Sequence, residues 1–194
     1  VPYVLRKRNR IIAAVNRRYH KMTHKFGIRV PKNIEEAQRI DNEKGNTLWM
    51  DAIAKELKAV RVAFKVLPDG KKVPPGYQEI KCHLIFDVKM ENFRRKACLV
   101  AGGYTTDTPA TLTYASVVSR ETVRVALTVA ALNALEVKAS DIQNAYLTAP
   151  NSEKIFTVLG KEWGLLSKKC AIVVRALYGL KSASASFRNH LSDC

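Results

Sequence analysis

The spacing of hydrophobic residues changes several times between Asn46 and the end of the chain, and this change limits the possible folds more than any other feature. Stretches with the period of an α-helix alternate with short stretches in which every second residue is apolar, as in a half-buried β-strand. Helices and strands in one chain bury their apolar faces against each other. The sequence therefore predicts an α+β fold class for residues 46–194.

Three stretches predict helices. The first follows the capping residues Asn46 and Thr47, and the second follows the predicted N-cap Ser119 and has Glu121 in its first turn. The third is the alanine- and serine-rich stretch 182–193. The first helix has an apolar stripe formed by Trp49, Ile53, Leu57 and Val60, and the second has one formed by Val123, Leu127, Ala130 and Ala134. We expect both stripes to belong to the core.

Six stretches predict strands. Apolar residues at positions 84, 86, 88 and 90 alternate with the residues between them, and a second apolar run covers 97–101. The Glu91-Asn92 turn between these runs predicts a β-hairpin. Further strands are expected at 63–67, before a Pro68-Asp69-Gly70 turn, and at 136–140, 155–159 and 171–174.

The chain has a net charge of +16, and the charge is concentrated at the N-terminus. Residues 1–34 hold ten of the 33 Lys and Arg residues and none of the 17 acidic ones. Such a segment favours a polyanionic partner, because each neutralised phosphate releases counterions. The alternative is a solvated charged tail. The nucleic-acid-binding candidates are Arg6, Lys7, Arg8, Arg10, Arg17 and Arg18.

The segment 1–45 is expected to be a basic tether, either helical or disordered. Ile11, Val15, Tyr19 and Met22 recur at helical spacing, whereas 35–45 has the composition of a polar linker. No apolar run approaches the roughly 18 residues of a membrane span, and the first residues do not resemble a signal peptide, so we expect no membrane contact and no secretion. Four scattered cysteines predict free thiols in an intracellular compartment.

Residues 141–147, Asp-Ile-Gln-Asn-Ala-Tyr-Leu, follow the predicted strand 136–140 and place a carboxylate at its end. A carboxylate in that position can bind Mg²⁺, and an aromatic ring a few residues later can line a sugar pocket. An Asp in this setting is more commonly a turn or cap residue, and a Tyr is more commonly part of the core. The heptapeptide by itself leaves these alternatives open.

Two other blocks accompany the heptapeptide. They are 83–90 with 95–103, and 175–182, which reads Arg-Ala-Leu-Tyr-Gly-Leu-Lys-Ser. Taken in this order, the three blocks resemble the reverse transcriptase of copia-type long-terminal-repeat retrotransposons, and the resemblance runs from about Trp49 to the end. The segment 1–45 is similar to the tether between the integrase, which carries out DNA integration, and the polymerase of the Pol polyprotein.

The resemblance implies a fingers-and-palm fragment of an RNA-directed DNA polymerase. Such an enzyme copies retrotransposon RNA into DNA from an RNA or DNA template-primer and deoxynucleoside triphosphates, by nucleotidyl transfer with two Mg²⁺ ions. Asp141 would be the first catalytic aspartate, with the Ile142 carbonyl as a second metal ligand. The nucleotide would be bound by Lys96, Asn144, Ala145, Tyr146, Gly179 and Lys181, with the Tyr146 ring beneath the deoxyribose.

The sequence departs from the family pattern at two places. Cys98 stands where the family motif Lys-Ala-Arg-Leu-Val has Arg. Either the Arg has a structural role and Cys98 is tolerated in its place, or this copy of the element has decayed. No Asp-Asp pair occurs in the chain, although the family's other two aspartates lie in a Tyr-x-Asp-Asp hairpin expected after residue 194. One carboxylate cannot organise two Mg²⁺ ions, so we expect this fragment to be inactive alone.

Three alternatives remain beside this prediction. The chain would be a non-catalytic, basic nucleic-acid-binding module, a relic of a decayed retroelement, or a structural fragment that has no stable fold after truncation. If it is a polymerase fragment, the rest of the Pol polyprotein is its partner, and a cytoplasmic particle or the nucleus is its location.

Overall fold

The computed structural model describes residues 23–107, 115 and 118–193. Both helices and strands are present, which confirms the α+β fold class. In chain order the elements are β1 (His24–Lys25), β2 (Ile28–Arg29), α1 (Ile34–Lys44), α2 (Leu48–Val60), β3 (Phe64–Val66), β4 (Gln78–Glu79), β5 (Cys82–Val88), β6 (Arg95–Ala101), α3 (Arg120–Leu132), α4 (Ala145–Thr148), β7 (Ile155–Val158), β8 (Cys170–Val173) and α5 (Ala183–Ser192). Short 3₁₀ helices span Arg61–Ala63, Gly103–Thr105 and Lys161–Leu166.

The chain divides into two compact units. The first consists of Val1–Lys58 and His83–Val100, and the second of Ala59–Cys82 and Ala101–Cys194. The predicted tether helix, with its six candidate nucleic-acid-binding residues Arg6 to Arg18, lies outside the described residues. Within the described ranges, no helix is both long and apolar enough to cross a bilayer.

The first unit has a core between its two helices and the β5–β6 hairpin. Trp49 and Ile53 of α2 are buried against Phe86, and the Trp49 and Phe86 rings meet edge to face at 5.8 Å. The predicted α2 stripe and the hairpin are both confirmed. The hairpin face that points inward carries Phe86, Val88 and Ala97, as the strand period predicts.

Helix α1 corrects the prediction of a polar linker over 35–45. It begins at the Asn33 cap, whose side chain accepts a hydrogen bond from the Glu36 amide, and ends at Gly45 in the left-handed conformation. Only Ala37 and Ile40 supply buried apolar side chains. The helix is therefore stabilised by its caps and by tertiary packing. Its eleven residues are mostly polar and form only a weak apolar stripe, so the sequence pattern did not predict a helix here.

Asp41 is the third buried residue of α1, although it is charged. Its carboxylate accepts hydrogen bonds from the backbone amides of Trp49 at 2.9 Å and Met50 at 2.9 Å. These amides belong to the first turn of α2, which has no intrahelical acceptors for them. One helix thus caps the next, and the negative charge lies at the positive end of the α2 dipole.

The second unit contains a four-stranded sheet in the order β3-β8-β7-β4. The β3–β8 and β8–β7 pairs are antiparallel, and the short β4–β7 pair is parallel. Strands β3, β7 and β8 confirm the predictions at 63–67, 155–159 and 171–174, and α5 confirms the C-terminal helix. The predicted turn after β3 is also present, closed by a hydrogen bond from the Lys71 amide to the Pro68 carbonyl.

Helix α3 forms where the sequence predicts it, with the Ser119 hydroxyl accepting from the Thr122 amide. Its environment differs from the prediction. The expected core residues Val123 and Leu127 are exposed, and Ala130 is the buried residue of the helix. An amphipathic pattern shows which face is apolar, but it does not show whether another element lies against that face.

Candidate active site

Asp141 lies in an exposed segment without regular secondary structure, residues 135–142. The strand predicted for 136–140 is wrong for this structure, because none of the described strands pairs with that stretch. A strand needs a ladder partner, and the local sequence cannot supply one. Within the described part of the chain, the Asp141 carboxylate makes no hydrogen bond or ion pair, and it is open to solvent.

The chain turns sharply between Asp141 and Tyr146. Asn144 adopts the left-handed conformation with φ of 54°, which Asn tolerates better than most residues, and the single turn α4 follows. Ala145 and Tyr146 are the first two residues of that turn. The short helix therefore begins directly after the predicted metal-binding segment.

The Tyr146 ring is half buried and held by three contacts. Its centroid lies 4.7 Å from the Tyr178 ring and 6.1 Å from the Phe187 ring, and its hydroxyl is 3.0 Å from the Ser184 hydroxyl. Ser184 and Phe187 are both on α5. Residues distant in sequence thus fix the orientation of the ring. A catalytic or substrate-selecting group requires such a fixed orientation.

The loop 175–182 is tied to the segment around α4 by hydrogen bonds to backbone carbonyls. The Ala176 amide donates to the Ala149 carbonyl at 3.0 Å, and the Arg175 guanidinium donates to the Thr148 carbonyl at 2.9 Å. Two blocks that are separate in sequence, 141–147 and 175–182, therefore meet in the second unit. The Tyr146–Tyr178 ring contact lies at their meeting point.

Gly179 adopts a φ of 93°, a conformation that favours glycine. Its carbonyl oxygen lies so close to Gly103 that a Cβ at Gly103 would collide with it. The Ala101 amide donates to the Tyr178 carbonyl at 2.8 Å on the same side. Gly103 thus allows close backbone packing against the 178–180 loop, whereas Gly102 allows it against the Lys81 carbonyl.

Lys181 extends from this loop to the Thr106 carbonyl, to which its ammonium donates a hydrogen bond. The next residue begins the approach to α5, where the Ser182 amide donates to a Glu153 carboxylate oxygen at 3.0 Å. A phosphate contact by Lys181 would require its ammonium to share or leave the carbonyl. The phosphate role of Lys181 stays a prediction.

Lys96 and Cys98 belong to the first unit, on strand β6. The Lys96 side chain is exposed, and Cys98 is half buried. Burial, and then the nearby Glu56 carboxylate, raise the pKa of the Cys98 thiol, against a smaller opposite effect of Lys96. The Glu56 carboxylate also accepts a hydrogen bond from the Leu99 amide at 2.9 Å. The position where the family has Arg is therefore a neutral thiol beside an acid.

Magnesium prefers several oxygen ligands, commonly carboxylates. Over residues 23–107, 115 and 118–193, no three His, Cys, Asp or Glu side chains are grouped so as to hold a metal ion. The Asp141 carboxylate and the Ile142 carbonyl can supply three oxygens at most from one short segment. The described residues by themselves do not fit a two-ion site.

Three residues near Tyr146 had no role in the sequence prediction. Tyr178 was part of a recognised block, but its ring contact with Tyr146 depends on tertiary packing. Ser184 and Phe187 lie one helical turn apart on α5, and this spacing was the only available signal. That signal shows that both residues share a helix face, and it does not show what the face contacts.

Comparison with known protein families identifies a match. The model of a family described as reverse transcriptase (RNA-dependent DNA polymerase) matches residues 69–194. The chain matches no curated protein and no solved structure. The matched range covers about two thirds of the chain and includes the heptapeptide, the 175–182 block and most of the second unit.

Proposed function

The chain belongs to the reverse transcriptase family, and from this premise we propose that it is part of a copia-type retrotransposon polymerase. The enzyme copies element RNA into DNA by two-metal nucleotidyl transfer. Members of this family bind a nucleic-acid template and deoxynucleoside triphosphates. The observation that best supports a nucleotide site here is the contact at 4.7 Å between the rings of Tyr146 and Tyr178, which joins two sequence blocks.

Tyr146 selects the sugar in this proposal. Its ring is supported by Tyr178 and Phe187, and its hydroxyl by Ser184, so it cannot easily move aside. A ribose 2′-hydroxyl would collide with a wall of this kind, whereas a deoxyribose would pack on it. The backbone amides of Asn144 and Ala145, just before the Tyr146 side chain, then face the triphosphate.

Asp141 is the first metal ligand, with the Ile142 carbonyl beside it. The exposure of the Asp141 carboxylate and its lack of a partner among the described residues support this role, because no ion pair has to be broken. When bound, Mg²⁺ would neutralise charge on the triphosphate. Further carboxylates must come from outside the described residues, so this chain alone is expected to be inactive.

Gly179 and Lys181 line the nucleotide site from the other block. The left-handed Gly179 lets the backbone approach a ligand closely, and Lys181 carries a positive charge on a flexible stem. The phosphate-binding role expected of Lys96, which lies in the first unit, stays a prediction. The remaining Pol polyprotein is the partner in this proposal, and a cytoplasmic particle or the nucleus is the location.

The metal role of Asp141 is tested by nucleotide binding. Anisotropy of a fluorescent deoxynucleoside triphosphate should rise with Mg²⁺ for the 194-residue chain, and Asp141→Asn should remove this dependence. The matched control is Asp193→Asn, which changes another exposed carboxylate of the second unit. An unchanged Mg²⁺ dependence in Asp141→Asn would refute the assignment. In a longer chain that includes the Tyr-x-Asp-Asp hairpin, the same change should abolish primer extension.

The sugar-selecting role of Tyr146 is tested by comparing ribo- and deoxyribonucleotide affinity. Tyr146→Val should lower the preference for the deoxynucleotide by about tenfold or more, because the wall is removed. Tyr146→Phe keeps the ring and serves as the control. Equal preference in the Val variant and the unmodified chain would contradict the role.

The net charge of +16 supports a second candidate, a non-catalytic nucleic-acid-binding module in which residues 1–34 contact phosphates. RNA binding that survives deletion of residues 46–194 and weakens steeply with salt would favour this candidate. Loss of Mg²⁺-dependent nucleotide binding in Asp141→Asn would favour the polymerase.

A further inference from the structure

The four-stranded sheet of the second unit has a buried face and an open face. Successive side chains of a strand point to opposite faces, and the side chains of paired residues point to the same face. The buried face includes Phe64, Ala171 and Val173. The opposite face, which we call the open sheet face, consists of Lys65, Glu79, Phe156, Val158, Cys170 and Ile172.

One row of the open sheet face crosses all four strands. Lys65 of β3 pairs with Ile172 of β8, and Phe156 of β7 pairs with both Ile172 and Glu79 of β4. The two apolar members are half buried, and the two charged members at the ends are exposed. Val158, in the next row, is 44% exposed. The open sheet face thus has an apolar centre between a positive end and a negative end.

The charged ends of this row have no partner in the described part of the chain. Neither Lys65 nor Glu79 forms an ion pair or a side-chain hydrogen bond among the described residues. The two side chains cannot pair with each other, because three strand spacings of about 4.8 Å place them roughly 14 Å apart. The row therefore offers one positive and one negative group to a partner.

We propose that the open sheet face binds the same face of a second copy of this chain. The two sheets lie face to face about 10 Å apart, related by a two-fold axis that runs along the strands between β7 and β8. This rotation reverses the row, so that Lys65 meets Glu79 of the second copy and Ile172 meets its Phe156. An axis across the strands would place each Lys65 against the other, and like charges oppose association.

The charge and the size of the face decide between partners and set the strength of binding. The row holds one acid and one base, so it has no net charge with which to attract a polyanion, although the whole chain carries +16. Four short strands give a face of roughly 200 Å². A standard interface buries roughly 800 Å² per partner, so a weak dimer is expected, with a dissociation constant near about 100 µM. This surface goes beyond the proposed polymerase function and uses none of its residues.

The test is sedimentation equilibrium of the full chain at about 10–500 µM. Salt at about 0.2 M screens the general repulsion between two chains of charge +16, and a reducing agent prevents disulfides through Cys170. A monomer–dimer equilibrium is expected. Lys65→Glu and Glu79→Lys should each weaken the dimer by about tenfold, because each change places two like-charge pairs across the two-fold axis. Both positions are exposed, so both variants should fold like the parent chain.

Mixing the two variants gives the decisive measurement. A chain with Lys65→Glu has an acid at both ends of the row, and a chain with Glu79→Lys has a base at both ends. Their heterodimer contains two opposite-charge pairs, so the mixture should associate about as strongly as the parent chain. The matched control is Lys72→Glu, which makes the same charge change at an exposed position of the second unit outside the sheet and should leave the dimer unchanged.

Three results would overturn the proposal. A chain that stays monomeric at the highest concentration would show that a different partner covers the face. A dimer that Lys65→Glu and Glu79→Lys leave unchanged, or a mixture that associates no better than either variant alone, would show that another surface joins the two copies. No nucleotide or Mg²⁺ is present in this experiment, so failure of the polymerase proposal would be seen separately.

Discussion

Replacing Asp41 by Ala should destabilise the first unit by about 3 kcal/mol. The carboxylate is 2% exposed and accepts hydrogen bonds from two backbone amides of α2. Without it, two N–H groups are left unsatisfied in a buried place, at about 1–3 kcal/mol each. The favourable interaction with the helix dipole is also lost, worth up to about 2 kcal/mol. These effects overlap, and water entering the space left by the side chain offsets part of them, so the sum is an upper limit.

Asp41→Asn keeps one oxygen acceptor and loses the charge, so about half of that destabilisation is expected. Asp51→Ala is the control, because its exposed carboxylate accepts from the Thr47 hydroxyl alone among the described residues, and the change should cost less than about 1 kcal/mol. The chain has two Trp residues, Trp49 and Trp163. With Trp163 replaced by Phe, urea unfolding followed by fluorescence reports the first unit, where Trp49 is buried.

A destabilisation below about 1 kcal/mol in Asp41→Ala would refute the capping argument, since water or another group would then satisfy the two amides. An equal loss in Asp41→Asn and Asp41→Ala would show that the charge, and not the acceptor oxygen, stabilises α2.

Three further predictions concern packing, pH and thiol reactivity. Gly103→Ala should destabilise the second unit by about 1–3 kcal/mol in urea unfolding, because the new Cβ meets the backbone oxygen of Gly179. The hydrogen bond from Lys25 lowers the pKa of Asp87. The ionised Asp87 therefore stabilises the folded state at neutral pH, and this stabilisation is lost as the pH falls through the lowered pKa. Asp87→Asn should remove this part of the acid unfolding profile. Burial raises the pKa of the Cys82 thiol to about 11, so at pH 8 only about one thousandth of the Cys82 side chains are thiolate. Alkylation followed by mass spectrometry should therefore be much slower for Cys82 than for a free cysteine.

Each of these predictions has a control or a contrary outcome. Gly76→Ala meets no atom within 4 Å and should cost only the strain of its positive φ, about 1 kcal/mol. High salt should weaken the Asp87 effect, because the pair is partly exposed. Alkylation of Cys82 at the rate of a free thiol would show that the thiol is not held in the buried position.

Elements specified by neighbouring residues agree with the sequence prediction. The Ser119 cap, the α2 stripe and the Pro68-Asp69-Gly70 turn each depend on residues within a few positions. The polar linker predicted for 35–45 was wrong because the helix found there depends on residues distant in sequence. Helix α1 has few apolar residues, and its stability comes from the core of the first unit and from the capping of α2 by Asp41.

The candidate site shows the same division. The sequence identified Asp141, Tyr146, Gly179 and Lys181 as candidates, and the match over residues 69–194 supports the family to which those motifs point. The predicted strand before Asp141 is missing, because pairing needs a distant partner. The support of the Tyr146 ring by Ser184 and Phe187 also depended on which helix lies beside it.

The sequence alone determined the family, the positions of most helices and strands, and the strongly basic character of the chain, because short motifs, residue periodicity and charge are properties of neighbouring residues. Tertiary structure decided which residues meet. It brought Tyr146 to Tyr178, Gly103 to Gly179 and Phe26 to Phe93, and it left the apolar face of α3 exposed. Such contacts join residues far apart in sequence, and their free energy depends on the packing of the whole unit, which no local pattern contains.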